Sequence, residues 1–174
     1  MSVVEKVKSY IGAYNATDIR ALLHADHEQI NALTEQINSD ESTRKRVRAF
    51  DQLKLLLTAH ARAEEQAVYT VLVNLRGSPD SRASGNEGFV EHSLVDVLLE
   101  RLSKTELAAT DAWTAHAQVL LEIFDHHIKE EERGIFAELG EHFTDEQRDA
   151  TGADFVLRKR VLLPTAGTRG RKAA

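Results

Sequence analysis

Phe124-Asp-His-His-Ile-Lys-Glu-Glu-Glu-Arg-Gly-Ile-Phe136 has the periodicity of a buried helix face and side chains that such a face rarely holds. Residues three and four apart lie on one side of a helix, so Leu120, Phe124, His127, Glu131 and Ile135 share a stripe that Trp113 and Leu139 extend. Histidine and glutamate stand where apolar side chains belong. An ionised carboxylate buried alone costs several kcal/mol, and the usual remedies are a counter-charge, a proton or a metal ion.

Sixty-seven residues earlier the pattern recurs. His60-Ala-Arg-Ala-Glu64-Glu65-Gln-Ala-Val-Tyr69 aligns without a gap on His127-Ile-Lys-Glu-Glu131-Glu132-Arg-Gly-Ile-Phe136, both reading His-x3-Glu-Glu-x3-aromatic. The first copy also sits among apolar residues: Leu53, Leu56, Leu57, Ala67, Val68 and Val71. Two such helices face to face would put two His/Glu pairs inside one core.

The composition suits this. A chain of 174 residues, 29% charged and 42% hydrophobic, reads as one soluble globular domain. It has no apolar run long enough for a membrane span and no signal-peptide pattern, so a cytoplasmic location is expected. Cysteine is absent, which excludes disulfides, thiolate-bound metals and cysteine nucleophiles. A metal here must accept nitrogen and oxygen, and eight histidines supply the nitrogen. Two prolines and few strand-like runs predict an all-α chain.

In order, residues 2–14 read as an amphipathic docking segment within an N-terminal region 1–17. Asn15 to Asp18 offers N-caps for a helix to about Asn38, on which Ile19, Leu23, His27, Ile30 and Ile37 share a side. A turn over Ser39–Ser42 precedes a helix over about Thr43–Leu75. Arg76 to Asn86, rich in Gly and Ser, reads as a loop. A third helix over about Glu87–Ser103 places Phe89, His92, Asp96, Leu99 and Leu102 near one stripe, and a fourth runs from about Thr110 to Leu139, with Gly140 as its stop. Thr144-Asp-Glu-Gln147 is a capping box opening a weaker helix to about Leu163. The expected architecture is an up-down-up-down four-helix bundle over 18–143 with short additional N- and C-terminal helices, the region 144–174 forming a terminal helix and basic tail.

From Arg158 onward there are six basic residues and no acidic one, against 16 basic and 28 acidic in the remainder. Without aromatic interleaving or a recognition motif this reads as a solvated tail, so neither nucleic acid nor membrane is an expected partner. A monomer or small homo-oligomer is expected.

A single histidine on an apolar stripe is ordinarily a hydrogen-bonded core residue. Here His27, His60, His92 and His127 fall one per helix, and Glu64 and Glu131 each follow a histidine by four residues. Imidazole and carboxylate from facing helices are how bundles hold paired metals, since one carboxylate can bridge two cations. Four imidazoles and two glutamates fill about eight of roughly twelve positions on two octahedral ions, leaving room for a bridge and a small ligand. His24, Asp96 and Tyr69 are candidates to complete the site. Asp26, Glu65, Glu91 and Glu132 are expected at the surface or orienting the imidazoles, His126 exposed or beside the site, and His116 and His142 at the surface.

These residues resemble the hemerythrin-like, or HHE cation-binding, domains. The likeness covers about residues 18–140 through Leu22-Leu-His-Ala-Asp-His27-Glu-Gln-Ile30, His60-x3-Glu64-Glu65, Glu91-His92 and His126-His127-Ile-Lys-Glu-Glu131-Glu132. It implies a bundle around two non-heme iron ions with an oxo or hydroxo bridge, held by His27, His60, Glu64, His92, His127 and Glu131. It also implies binding of, or reaction with, O2, NO or peroxide, as sensor or detoxifier, with catalase-like or NO-related turnover left open. The alternative is a non-catalytic iron-binding or storage module. Oxygen-carrying hemerythrins use five histidines; Asp96 stands here where the fifth would be. The four-His, two-Glu set looks more like the di-iron proteins that repair nitrosatively damaged iron centres, whose cysteine-bearing domain has no counterpart in this sequence.

Overall fold

The computed structural model describes residues 17–38, 42–105 and 111–163. Five helical stretches account for nearly all of them. Helix α1 is Ile19–Asn38. Helix α2 comprises Thr43–Glu64, a π-helical turn Glu65–Tyr69 and a short run Thr70–Val73. Helix α3 is Pro79–Lys104. Helix α4 comprises Asp111–Glu130, a second π-helical turn Glu131–Ile135 and Phe136–His142, and helix α5 is Asp145–Leu162. The expected docking segment, most of the 39–42 turn, residues 106–110 and the tail beyond 163 lie outside the described residues. No helix among the described residues is long and apolar enough to cross a membrane.

Local chemistry sets the ends. The Asp18 carboxylate accepts the Arg20 amide N–H at 2.9 Å, an N-cap bond that opens α1. At Thr144 both halves of the expected capping box form, opening α5. Helix α3 starts earlier than expected, at Pro79 rather than Glu87. Ser78 caps it by accepting the Ser81 N–H at 3.2 Å, with Pro79 at its start, where a missing N–H costs nothing. The expected loop thus shrinks to the few residues around Gly77, the one described glycine with positive φ, at 86°. Gly140 does not stop α4; the helix continues to His142.

Helix α1 packs mainly on α2, α3 packs on α4 and on the end of α2, and α5 lies across α1 and α2. Two apolar clusters result. One gathers Ile30, Phe50, Leu53, Trp113, Leu120 and Phe124; the other gathers Ile19, Leu22, Val68, Tyr69, Leu139 and Phe155. Between them runs a buried polar layer.

The terminal helix belongs to this core. Gly152, Phe155, Lys159 and Leu163 are buried on one stripe. A Cβ at Gly152 would lie 2.0 Å from the Thr17 carbonyl oxygen, so the glycine is what lets α5 approach α1. Lys159 departs from the solvated tail expected of it. Its stem is buried and its ammonium donates to Asp26.

Candidate metal centre

Each of the first four helices contributes one histidine to the polar layer, and all four are buried: His27 on α1, His60 on α2, His92 on α3 and His127 on α4. Each ring is oriented by a carboxylate from a facing helix. His27 Nδ1 lies 2.9 Å from Glu132, His60 Nδ1 3.0 Å from Asp26, His92 Nδ1 3.2 Å from Glu65 and His127 Nδ1 2.7 Å from Glu91. The arrangement is pseudo-symmetric. Glu65 and Glu132 are equivalent positions of the duplicated motif, and Asp26 and Glu91 each precede a site histidine.

Ionised carboxylates only accept, so each Nδ1 donates. A neutral imidazole that donates from Nδ1 keeps a bare lone pair on Nε2, and the Nε2 atoms point inward. His92 Nε2 and His127 Nε2 face each other at 3.3 Å, two acceptors with no proton between them when both rings are neutral. Around them His27 Nε2 is 3.1 Å from Glu131 Oε2 and His60 Nε2 is 3.3 Å from Glu64 Oε2. His27 Nε2, His60 Nε2, Glu64 Oε1 and Glu131 Oε2 are buried and make no hydrogen bond.

An inward cluster of acceptors is what a cation satisfies. His60, Glu64, His127 and Glu131 each offer an atom within 4.8 Å of the others. The donor set is nitrogen and oxygen alone, and it fits a metal.

The electrostatics show the same demand for positive charge: burial opposes it, but Glu131 holds His27 and His127 above the ordinary imidazole range. Burial and the neighbouring Glu131 charge push the Glu64 carboxyl well above the usual range. Burial also pushes His92 down to about 4, which keeps its ring neutral and its Nε2 free to ligate. Burial opposes ionisation of Asp26, but the Lys159 ammonium and His60 hold it below the usual carboxylate range. A cation held by these groups would supply the positive charge that a proton on Glu64 otherwise provides.

Tyr69 enters the site. Its hydroxyl donates to Glu131 at 2.8 Å and lies 3.2 Å from Glu64, with its ring tilted over His92 at 5.2 Å. At the equivalent position Phe136 stacks on His27 at 6.5 Å, so only one of the two related aromatics carries a hydroxyl. His24 and Asp96 are not brought in. His24 is half-exposed and bonds Glu132 at 2.8 Å, while Asp96 pairs with Arg62 near the surface. Exposed His126 lies 3.8 Å from Glu91. His116 is exposed, and His142 pairs with Glu138 at 3.3 Å.

Sequence reasoning missed Lys159 and the π turns. The first turn begins at the residue after Glu64 and the second at Glu131 itself. Each winds one extra residue into the helix, moving the aromatic at i+5 onto the face of the glutamate.

A helical protein whose core is split by a buried layer of inward imidazoles and carboxylates has the donor set of the helical domains that hold cations. Residues 18–139 match the Hemerythrin HHE cation binding domain, and the chain belongs to that family. It is 26% identical over 150 residues to a protein named DNA nickase from Nostoc sp. (strain PCC 7120 / SAG 25.82 / UTEX 2576), covering 86% of this chain and 41% of that protein. The chain thus spans about two-fifths of that relative's length. No solved structure matches it.

Proposed function

We propose that this is a non-heme di-iron protein, an up-down four-helix bundle in which His27, His60, Glu64, His92, His127 and Glu131 hold two iron ions and leave room for a small oxidant or gas. The observation that carries the reading is the set of four Nδ1-anchored imidazoles whose Nε2 atoms converge on Glu64 and Glu131. Bound iron would supply reversible one-electron chemistry and affinity for O2, NO or peroxide. The chain's own part is to fix the imidazole tautomers, keep bulk water out between two apolar clusters, and hold the Tyr69 proton against the two glutamates.

The domain organisation proposed is a bundle over 18–143 preceded by a docking segment and followed by α5 and the tail. A cytoplasmic monomer or small homo-oligomer acting as sensor or detoxifier fits this reading. Non-catalytic iron storage is the alternative, and stoichiometry separates the two.

The test is metal analysis with an ultraviolet–visible spectrum before and after dithionite and again in air. About two irons per chain, with a near-ultraviolet band that bleaches on reduction and returns, is the expected result. No iron, or iron without a redox response, refutes the reading, and many irons per chain favours storage. The Nostoc relative is named a DNA nickase. A supercoiled-plasmid assay with the iron-loaded protein tests against that name the expectation that nucleic acid is not a partner.

A further inference from the structure

A cleft of about 60 Å3 opens between α3 and α4 and reaches the polar layer, where Tyr69, His127 and Glu131 line it. At roughly 10–15 Å3 per water molecule, the cleft takes about four to six. That size admits molecules of a few atoms, a diatomic gas or a peroxide among them. Glu131 is buried and its Oε2 makes no hydrogen bond, so an unsatisfied acceptor stands at the inner wall.

The walls are kept open by small residues. Gly134 on α4 lines the cleft, and a Cβ there would meet no atom within 4 Å; Ser84 stands on α3. Gly88 has a different task. A Cβ at that position would lie 2.5 Å from two ring carbons of Tyr69, so the bare backbone lets the tyrosine lie against α3 with its hydroxyl over the glutamates.

The cleft is also acidic, lined by Glu87, Glu91 and Glu130. Arg133 pairs with Glu130 at 2.6 Å and Glu91 is engaged by His127. Exposed Glu87 pairs with none of the described cations. A mouth of this sign repels anions and is indifferent to neutral molecules.

We infer that this cleft is the passage by which small neutral molecules reach the centre, and that its carboxylates turn away anions of the same size. The inference rests on the di-iron reading and narrows its ligand to O2, NO or hydrogen peroxide. Superoxide, nitrite and other small anions are disfavoured.

The probes are nitric oxide on the reduced protein and azide on the oxidised protein, by stopped-flow absorbance, with metal content measured for every preparation. Gly134→Met fills the cleft from α4 and Ser84→Phe from α3, so the failure of one variant to fold leaves the other. With metal content at the wild-type level, each is expected to slow both probes by about tenfold or more, because the approach and not the docking area limits such rates. Glu87→Gln is expected to speed azide about two- to threefold at low ionic strength, lose that gain at about 0.5 M salt, and leave nitric oxide unchanged.

Wild-type rates for both probes in a metal-replete plugged variant would overturn the passage. An unchanged azide rate in Glu87→Gln would overturn the charge filter. Wild-type protein that takes up no metal would overturn the di-iron reading itself, and the passage with it, a result distinct from either rate outcome.

Discussion

Tyr69 shows how much one residue's placement depends on helix winding. Its hydroxyl reaches two buried carboxylates because the π turn Glu65–Tyr69 carries it around to the face of Glu64; regular α winding would place an i+5 residue well to one side. Burial and the two glutamates push the phenol well above its ordinary range, so it remains a donor throughout the stable pH range. Tyr69→Phe keeps the ring over Gly88 and deletes the donor. It is expected to cost the metal-free protein about 1–2 kcal/mol, read by urea unfolding, with metal content unchanged. Loss of metal in this variant would make Tyr69 a ligand instead. The buried His/Glu layer was legible in the sequence because His-x3-Glu repeats at His60 and His127 and because His27 and His92 fall on the apolar stripes of the other two helices. Tyr69 was readable as one of three candidates to complete the site but not as the partner of both glutamates, since nothing in single-residue propensity announces a π turn.

At the scale of elements, α5 is the piece that the sequence understated. Its stripe reads Gly152, Phe155, Lys159, Leu163, and a lysine in the third place looks like a break in an apolar face. Asp26 on α1 is its counter-charge, and that pairing runs between helices far apart in sequence, where periodicity is silent. Phe155 also meets the His60 ring edge-on at 5.9 Å, so α5, which lies beyond the 18–139 match, buttresses the orientation of one site imidazole. Lys159→Met would leave the Asp26 carboxylate buried with its ammonium gone, an expected loss of about 3–5 kcal/mol in thermal or urea unfolding. Adding Asp26→Asn should recover much of it, and additive losses in the double variant would refute the pairing.

A second tie between the same elements is Asp18, which caps α1 and accepts from Arg148 of α5 at 3.0 Å. Its hydrogen bond with Arg20, opposed by some burial and helped by Arg148, holds the carboxyl below its usual range. The folded-state pKa is therefore the lower one. The stabilisation is fully present above about pH 4 and is lost as the pH falls through the folded value. Asp18→Asn preserves the cap and removes the charge. The gap in melting temperature between wild type and variant should be widest near neutrality and close below about pH 4. A gap that persists unchanged into acid would show that the carboxylate charge is not what ties α5 down. The early-starting third helix has a similar moral. Ser78-Pro79-Asp80 is a good helix start, but the glycine and serine content of 76–86 outweighs it in sequence, and Gly85 and Gly88 are glycine because Leu72, Val73 and Tyr69 of α2 press against them.

Across the whole molecule, a polar layer between two apolar clusters makes the fold depend on what fills that layer. Metal-free, the protein buries two glutamates and four imidazoles whose inward atoms repel or go unpaired. A metal that binds only the native state adds about 2.7 kcal/mol at a free concentration one hundred times its Kd. A chain of this size gains roughly 2–4 °C per kcal/mol, so loading should raise the melting temperature by about 5–11 °C, and removing metal with a chelator under reducing conditions should reverse the gain. Glu131→Ala and His60→Ala are expected to lower metal content and abolish most of that shift together. A variant that lost its metal yet kept the shift, or kept its full complement of metal, would remove that residue from the ligand set.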